Sequence, residues 1–463
     1  MERNSAKWGV LFKGKALKEL KNYDISYSRV WYLAWPIILA NITIPLIGAT
    51  NVAVVGRMQS PIYIGAVALG VLVLQCIYWS FAFLRKSTTG ITAQAFGQED
   101  KAGIFAALFR SLIIATSLGL VVTLLQKPIG YIAFKLINGS PEVETLAHQY
   151  FDIRIWGSIA TMSNYVFLGW FYGIQKPKLA LFLRVLMNCL NIPLAFYLGL
   201  TLKMGVAGVA WAAFCSHHFV CIISYIAALI ILFKDKNFEL DKSFLKLVFD
   251  KVRFTKLFNI NSDIFLRTLM VFFAFSWFTS KSASSSDLVL ATNSVLINLF
   301  WFISYALDGF SNAAEALVGQ SVGALKFDMF ERAVKVTTVM SVVFAVIFAL
   351  CYGIGGDYFV SLLTELADIK IMAREYLPWL VFIPLVGIWC FELDGIFFGA
   401  TQTKVMRDMM FLSFALYSLS MLFLPKIFGN HGLWLALYVF LAVRAVTLYI
   451  HLPKIKQDKF GLS

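Results

Sequence analysis

Only a few ionisable or strongly polar side chains interrupt the apolar stretches of this sequence, and they are the ones able to carry chemistry. Asp308 and Glu315 are seven residues apart, two helical turns, and so share one face. Glu392 and Asp394 are two apart and point to different faces, so at most one of them faces a given cleft. Arg267 and Arg444 also fall inside apolar runs, and Arg85 and Lys86 close another. His217 and His218 are adjacent at mid-run, where a group titrating near neutrality could carry a proton or simply hydrogen-bond in a packed core. Asn41, Asn51, Asn188 and Asn191 are neutral. The last two, three apart on one face, could bind a polar group through paired donors and acceptors, or bond between helices. None of this makes an enzyme site: there is no clustered metal set and no nucleophile with a base at suitable spacing. The six cysteines lie in apolar runs without ligand spacing. With no GxxxxGK[ST] loop, ATP is not the evident energy source.

The surroundings of these residues explain why they matter. The chain has 463 residues, 59% hydrophobic and 14% charged, with mean hydropathy +0.75. Soluble domains carry about 25% charged residues, so a water-soluble fold is excluded. The apolar residues come in long blocks rather than alternating, which excludes an outer-membrane barrel. An all-α membrane protein remains. A spanning helix needs about 20 mostly apolar residues, and the pattern predicts twelve, over 31–56, 61–84, 104–126, 146–173, 178–201, 205–233, 262–284, 288–314, 331–355, 371–400, 403–426 and 432–453. A charge at the bilayer centre costs about 2.5–3.5 kcal/mol on insertion scales, so each one above needs a partner or a task.

The net charge of +14 follows from topology rather than from a nucleic-acid partner. With the N-terminus inside, the inner segments hold 27 Lys and Arg and the outer loops seven. Both termini and the 234–261 linker are therefore expected in the cytoplasm, as is the 454–463 tail. Residues 1–30 are basic and amphipathic, either an interfacial segment on anionic lipid or a solvated tail.

The chain also repeats itself at an offset of 226. Ala93-Gln94-Ala95-Phe96-Gly97 overlies Gly319-Gln320-Ser321-Val322-Gly323, and Gly169 to Gly173 overlie Gly395 to Gly399. Later the offset slips by two, with Gly208 over Gly432. Each half holds six spans, an even number, so the halves are parallel repeats related by an axis along the membrane normal. An N-lobe over 31–233 and a C-lobe over 262–453 would enclose one cleft, opened alternately to each side by rocking, the build of a secondary transporter. Arg444 lies within about 6 Å of Glu392 in depth, and is expected to pair with Glu392 or Asp394, as a fixed lock or as a pair released by protonation. Asp308 is placed near the cytoplasmic boundary, pairing with Arg85 or Lys86 across the lobes or with Arg267 inside its own.

Several segments in matching order carry a resemblance: Pro36 to Leu46, Ser87 to Gly97, Ser304 to Phe310, Glu315 to Gly323 and Leu393 to Thr401. The sequence over 31–453 resembles the DinF-type branch of the multidrug and toxic compound extrusion (MATE) family. The resemblance implies two V-shaped lobes and a monomeric antiporter in the bacterial inner membrane. It also implies export of amphipathic, often cationic, small molecules against H+ or Na+, with no other cofactor. Asp308, Asp394, Glu392, Glu315, His217 and His218 become candidates for the coupling ion. Arg444, Arg267, Arg85 and Lys86 become their charge partners, and Asn41, Asn51, Asn188 and Asn191 candidates for the substrate cleft. Two departures stand out. Asn51 replaces the family's aspartate in the first span, and Ala195 replaces a second aspartate in the fifth, so the N-lobe has lost both acids expected to take protons. Two other readings follow: a transporter with altered coupling, or a flippase for a lipid-linked precursor. The flippase would need a strongly cationic cleft, whereas the deep basic residues (Arg444, Arg267, Arg184) are few and accompanied by acids.

Overall fold

The computed structural model describes residues 25–57, 61–135, 140–234 and 242–462, with the side chains of 44–53 and 61 outside the description. Asn51 therefore lies outside the described side chains, as do residues 1–24 of the basic N-terminal segment. The described chain is almost wholly helical, as a membrane demands: lipid offers no partner to a backbone N–H or C=O, so each helix satisfies its own. The N-lobe comprises α1 (Tyr27–Val55), α2 (Pro61–Ser80) continued by α3 (Phe83–Gly97), α4 (Lys101–Leu124), a short α5 (Gln126–Lys135), α6 (Pro141–Ile155) continued by α7 (Ser158–Gly173), α8 (Pro177–Phe196) and α9 (Gly205–Phe233). After a short α10 (Lys242–Val248) the C-lobe follows as α11 (Lys251–Ser285), α12 (Asp287–Gly323), α13 (Phe327–Leu363), α14 (Ala367–Gly399) and α15 (Thr403–Phe460).

Among the described residues, nine helices or helix pairs are long and apolar enough to cross a membrane. One of them, α15, is a hairpin. Gly429 has φ +56 and ψ −132, a backbone that breaks the helix and suits glycine. Gln402 then donates to Asp458 at 3.1 Å across 56 residues, so the two arms return to the same end. Where α8 ends, Pro193 removes a backbone donor and the chain passes into a π-helical turn, Tyr197–Thr201.

The helices overrun the expected spans mainly at one end, the end rich in basic residues. There α3 runs on to Gly97, α12 to Gly323, and α11 already begins at Lys251, inside the stretch read as a linker. Hydropathy finds only the apolar stretch of a helix, whereas the backbone continues until a residue stops it. In these places that residue is Glu99, Gln175, Leu325 or Thr401, each at positive φ one or two residues past a helix end. Asp308 is fifteen residues from the end of α12, about 22 Å from it, so the helix continues well beyond it. Arg85 and Lys86 are likewise inside α3 rather than in a loop.

The lobes meet through α12 packed on α3 and α1, with α11 and α14 also against α3. The duplicated residues meet their own equivalents there. Ala93 and Gly319 occupy the same place in the repeat, and a Cβ on Gly319 would sit 2.6 Å from that of Ala93. Gly97 presses on the Gln320 carbonyl and Gly323 on the Gln94 carbonyl, so neither glycine has room for a side chain. These reciprocal contacts put a pseudo-twofold axis between α3 and α12 at the basic end, where the lobes are closed on each other.

Candidate functional site

Around that axis the hydrogen bonds are partly symmetric and the charges are not. Gln94 Nε2 donates to Thr401 Oγ1 at 3.1 Å, and its equivalent Gln320 accepts from Gln175, the equivalent of Thr401, at 2.8 Å. Arg29 of α1 donates to both Gln175 and Gln320 at 2.8 Å, tying the two lobes at their basic ends. Deeper along the axis, Lys86 Nζ donates to Asn312 Oδ1 at 2.7 Å, and these too are equivalent positions. Here the N-lobe supplies only cations and the C-lobe only anions. Asp308 lies 3.6 Å from Arg85 and 3.3 Å from Lys86, and Lys86 lies 3.5 Å from Glu315. Arg85 also donates to Asn312 at 2.8 Å, and Asn312 donates to Asp308 at 3.0 Å. The side chain of Glu315 is 0% exposed and that of Asp308 29%. Among the described residues neither oxygen of Glu315 has a hydrogen-bond partner. A buried carboxylate held only by a cation at 3.5 Å is poorly compensated, and any separation of the lobes would remove that cation.

Of the two pairings open for Asp308, the structure holds the one across the lobes. Arg267 does not reach it: both Arg267 and Arg444 go to Asp394 Oδ2, the latter at 2.8 Å. The pairing of Arg444 with Glu392 is not formed. Glu392 instead accepts from Ser341 of α13 at 2.7 Å, on the other side of α14. The physical reason is the one the spacing implied: residues two apart cannot serve the same face, and the arginines of α11 and α15 lie on the face of Asp394. Phe398 sits beside both groups, its ring 5.3 Å from Lys86 Nζ and 5.2 Å from Arg267 Cζ.

The histidines are not on this axis. His217 Nδ1 contacts Thr161 Oγ1 at 3.2 Å and its carbonyl accepts from Asn164, while His218 Nδ1 faces the Phe214 carbonyl at 2.9 Å. These are bonds within the N-lobe. Asn41 donates to the Tyr305 carbonyl across the lobes at 3.1 Å, and Asn188 to the Thr43 carbonyl at 3.3 Å. Among the described residues the Oδ1 atoms of Asn188 and Asn191 are buried without a partner.

Three features escaped the sequence reading. Gln175 and Arg29 have nothing in their local pattern to distinguish them, and they acquire a role only by meeting Gln320. An aromatic bridge between the lobes, Trp79 edge-on to Trp301 at 5.8 Å and to Phe272 at 6.4 Å, was hidden among 73 aromatic residues. At the basic end Asp263 accepts from Arg407 at 2.7 Å and Thr403 at 2.9 Å, joining α11 to α15.

Two halves of one architecture, like-oriented and paired about an axis, are also what comparison with known proteins returns. The MatE family model matches twice, over residues 36–197 and 264–424, once in each lobe. The chain belongs to the MatE family. It is 37% identical to DNA damage-inducible protein F of Escherichia coli over 91% of both chains. It is 22% identical to a probable multidrug resistance protein NorM of Bacillus subtilis over 95% of this chain and 98% of that one. Its fold superposes on a multidrug resistance MATE-family transporter solved in an outward-facing conformation, with TM-score 0.81, 18% identity and coverage of 94% and 96%. A MOP-superfamily transporter from Pyrococcus furiosus aligns with TM-score 0.77 at 18% identity, covering 94% and 97%. This MatE chain is thus a multi-pass membrane transporter and not an enzyme.

Proposed function

We propose that this MatE protein is a cation-coupled exporter of amphipathic small molecules, working as a monomer in the bacterial inner membrane with both termini in the cytoplasm. The observation that carries this reading is the charge-complementary network on the pseudo-twofold axis. Arg85 and Lys86 from one lobe face Asp308 and Glu315 from the other, so neutralising an acid weakens the contact that holds the basic end shut. In the proposed cycle the closed basic end corresponds to an outward-facing molecule. Entry of a proton or Na+ at Asp308 or Glu315 from outside loosens the lock, and the lobes rock to expose the cleft to the cytoplasm. Release of the ion there lets an amphipathic passenger bind and the lock reform. The Asp394–Arg444–Arg267 cluster has a different part: it is confined to one lobe, so it keeps the C-lobe rigid while the lobes move.

The loss of both N-lobe acids, Asn51 and Ala195 standing in their places, supports coupling through the C-lobe alone. Reconstituted protein given a pH or a sodium gradient in turn should move rhodamine 123 with one of them. Asp308→Asn should cut gradient-driven movement by about tenfold or more, the loss of roughly one charged contact. Undiminished driven transport by Asp308→Asn would refute the assignment.

A further inference from the structure

The repeat allows one lobe to be read against the other, and they differ at one buried place. In the C-lobe, Asp394 pairs with two arginines. At the repeat offset Asp394 falls on Leu168, and at the slipped offset that aligns Gly208 with Gly432, Arg444 falls on Val220. Leu168 and Val220 line a cavity of about 20 Å³ inside the N-lobe, with Asn164, Met187 and Arg184 on its wall. The N-lobe thus has an arginine and a void where the C-lobe has arginines and a carboxylate.

Among the described residues Arg184 makes no ion pair and no hydrogen bond. The groups that influence it electrostatically are the cation Arg85 and the phenols of Tyr165, Tyr172 and, from the other lobe, Tyr305. Arg154 and Arg184 both act on His217, while the acid Asp308 of the other lobe reaches Tyr172 and Tyr305, the phenols beside Arg184. Arg154 is 8% exposed, and its Nη1 has no partner. Asn164 lines the cavity with 9% of its surface exposed and its Oδ1 unpartnered. Asn188 and Asn191 follow Arg184 by four and seven residues, on the same face of α8, each with a buried, unpartnered Oδ1. Buried polar atoms are otherwise paired in the great majority of cases, so this group of orphans on three helices calls for an explanation.

We infer that Arg184 and the asparagines around it form the head-group site for an organic anion, whose carboxylate or sulfonate takes the place that Asp394 fills in the C-lobe. Arg184 supplies a planar fork matched to two acid oxygens. The asparagine oxygens accept from hydroxyl or N–H donors on the same compound. At its present size the cavity takes little more than a water-sized group, so an acid oxygen enters it and the body of the ligand extends toward the interface, where Tyr305 lies across from Arg184. The inference deepens the transport reading above and rests on it, since it adds organic acids to the amphipathic compounds carried.

The test uses two xanthene dyes of opposite charge, carboxyfluorescein and rhodamine 123, bound to the purified full chain and followed by fluorescence anisotropy. Carboxyfluorescein should bind the wild type. Arg184→Gln should weaken it by about 10- to 100-fold relative to rhodamine 123, the loss expected for one charge-assisted contact, with part of the affinity restored in Arg184→Lys. Leu168→Asp should have the effect of Arg184→Gln, because it supplies an internal carboxylate as Asp394 does. A monodisperse size-exclusion profile for each variant separates lost binding from lost folding. Loss of both dyes in equal proportion, or no binding of the anion while the cation binds, would overturn the assignment. Displacement of the dye by dihexanoyl-phosphatidylglycerol at equal potency would overturn it in favour of a lipid headgroup. Binding of carboxyfluorescein with the predicted dependence on Arg184, but no movement of either dye in liposomes, would uphold the site and refute the transport reading instead.

Discussion

At the residue scale what matters is which acid serves which base. Asp394 carries two arginines in a setting with little water, so removing its charge leaves two buried cations without a counterion. Breaking a buried pair from one side costs about 3–5 kcal/mol, and Asp394→Asn should lower the unfolding temperature of detergent-purified protein by several degrees. Glu392→Gln should not, because its hydrogen bond from Ser341 can be kept by the amide oxygen. Thermal unfolding followed by tryptophan fluorescence separates the two. Equal shifts would contradict the assignment of Asp394, rather than Glu392, to Arg444. The sequence showed that these groups were buried and in want of partners, because charge inside an apolar run is legible without coordinates. It left the pairing open, because Glu392 and Asp394 differ by only two residues in position and about 3 Å in depth. Which one faced Arg444 depended on how α14 is rotated against α11 and α15. Nothing in the sequence marked Arg184 as unpaired either. That became visible only when its surroundings could be set beside the equivalent ones in the other lobe.

At the element scale the helices that matter most are α3 and α12, and what lets them meet is the absence of side chains at Gly97, Gly323 and Gly319. The repeat made these glycines conspicuous, since both copies of the Gln-x-x-Gly pattern were readable at the same joints. Their task was not readable, because a close approach between helices 226 residues apart is a property of tertiary packing. A Gly323→Val side chain would collide with the Gln94 backbone, which has no rotamer to change. This substitution should hold the basic end open. A single cysteine placed at Ala93, buried at the axis in the closed form, should then react with a membrane-permeant maleimide faster than in the parent protein. An unchanged rate of labelling would show that the glycine contact does not govern closure. The helix ends taught a second lesson. Spans read from hydropathy stop where the lipid does, so Arg85, Lys86 and Asp308 were placed near a boundary when the helices in fact continue well past them.

At the scale of the whole molecule, the fold was the most legible part and the conformation the least. Twelve apolar runs, an even number per half and a constant offset were enough to expect two like-oriented lobes about a membrane-normal axis, and the family match in each half agrees. No feature of the sequence says which end of the cleft is shut. In the structure the lobes are pressed together at the basic end through reciprocal glycine and glutamine contacts. The charge distribution adds a consequence for energetics. Cations on one lobe face anions on the other across an axis where the glycine contacts are reciprocal, and in the proposed cycle the charge on Asp308 and Glu315 sets the state of the molecule.

The most direct measurement of this claim is a pair of inter-lobe distances by double electron–electron resonance in lipid nanodiscs. One pair of spin labels would sit at the basic end, on Gln98 and Leu325, and the other at the opposite end, on Lys203 and Asp287, all of them exposed positions. Replacing Asp308 by Asn, or lowering the pH, should lengthen the basic-end distance and shorten the opposite one. Distances that stay fixed, or that lengthen together, would contradict an ionic lock between two rocking lobes.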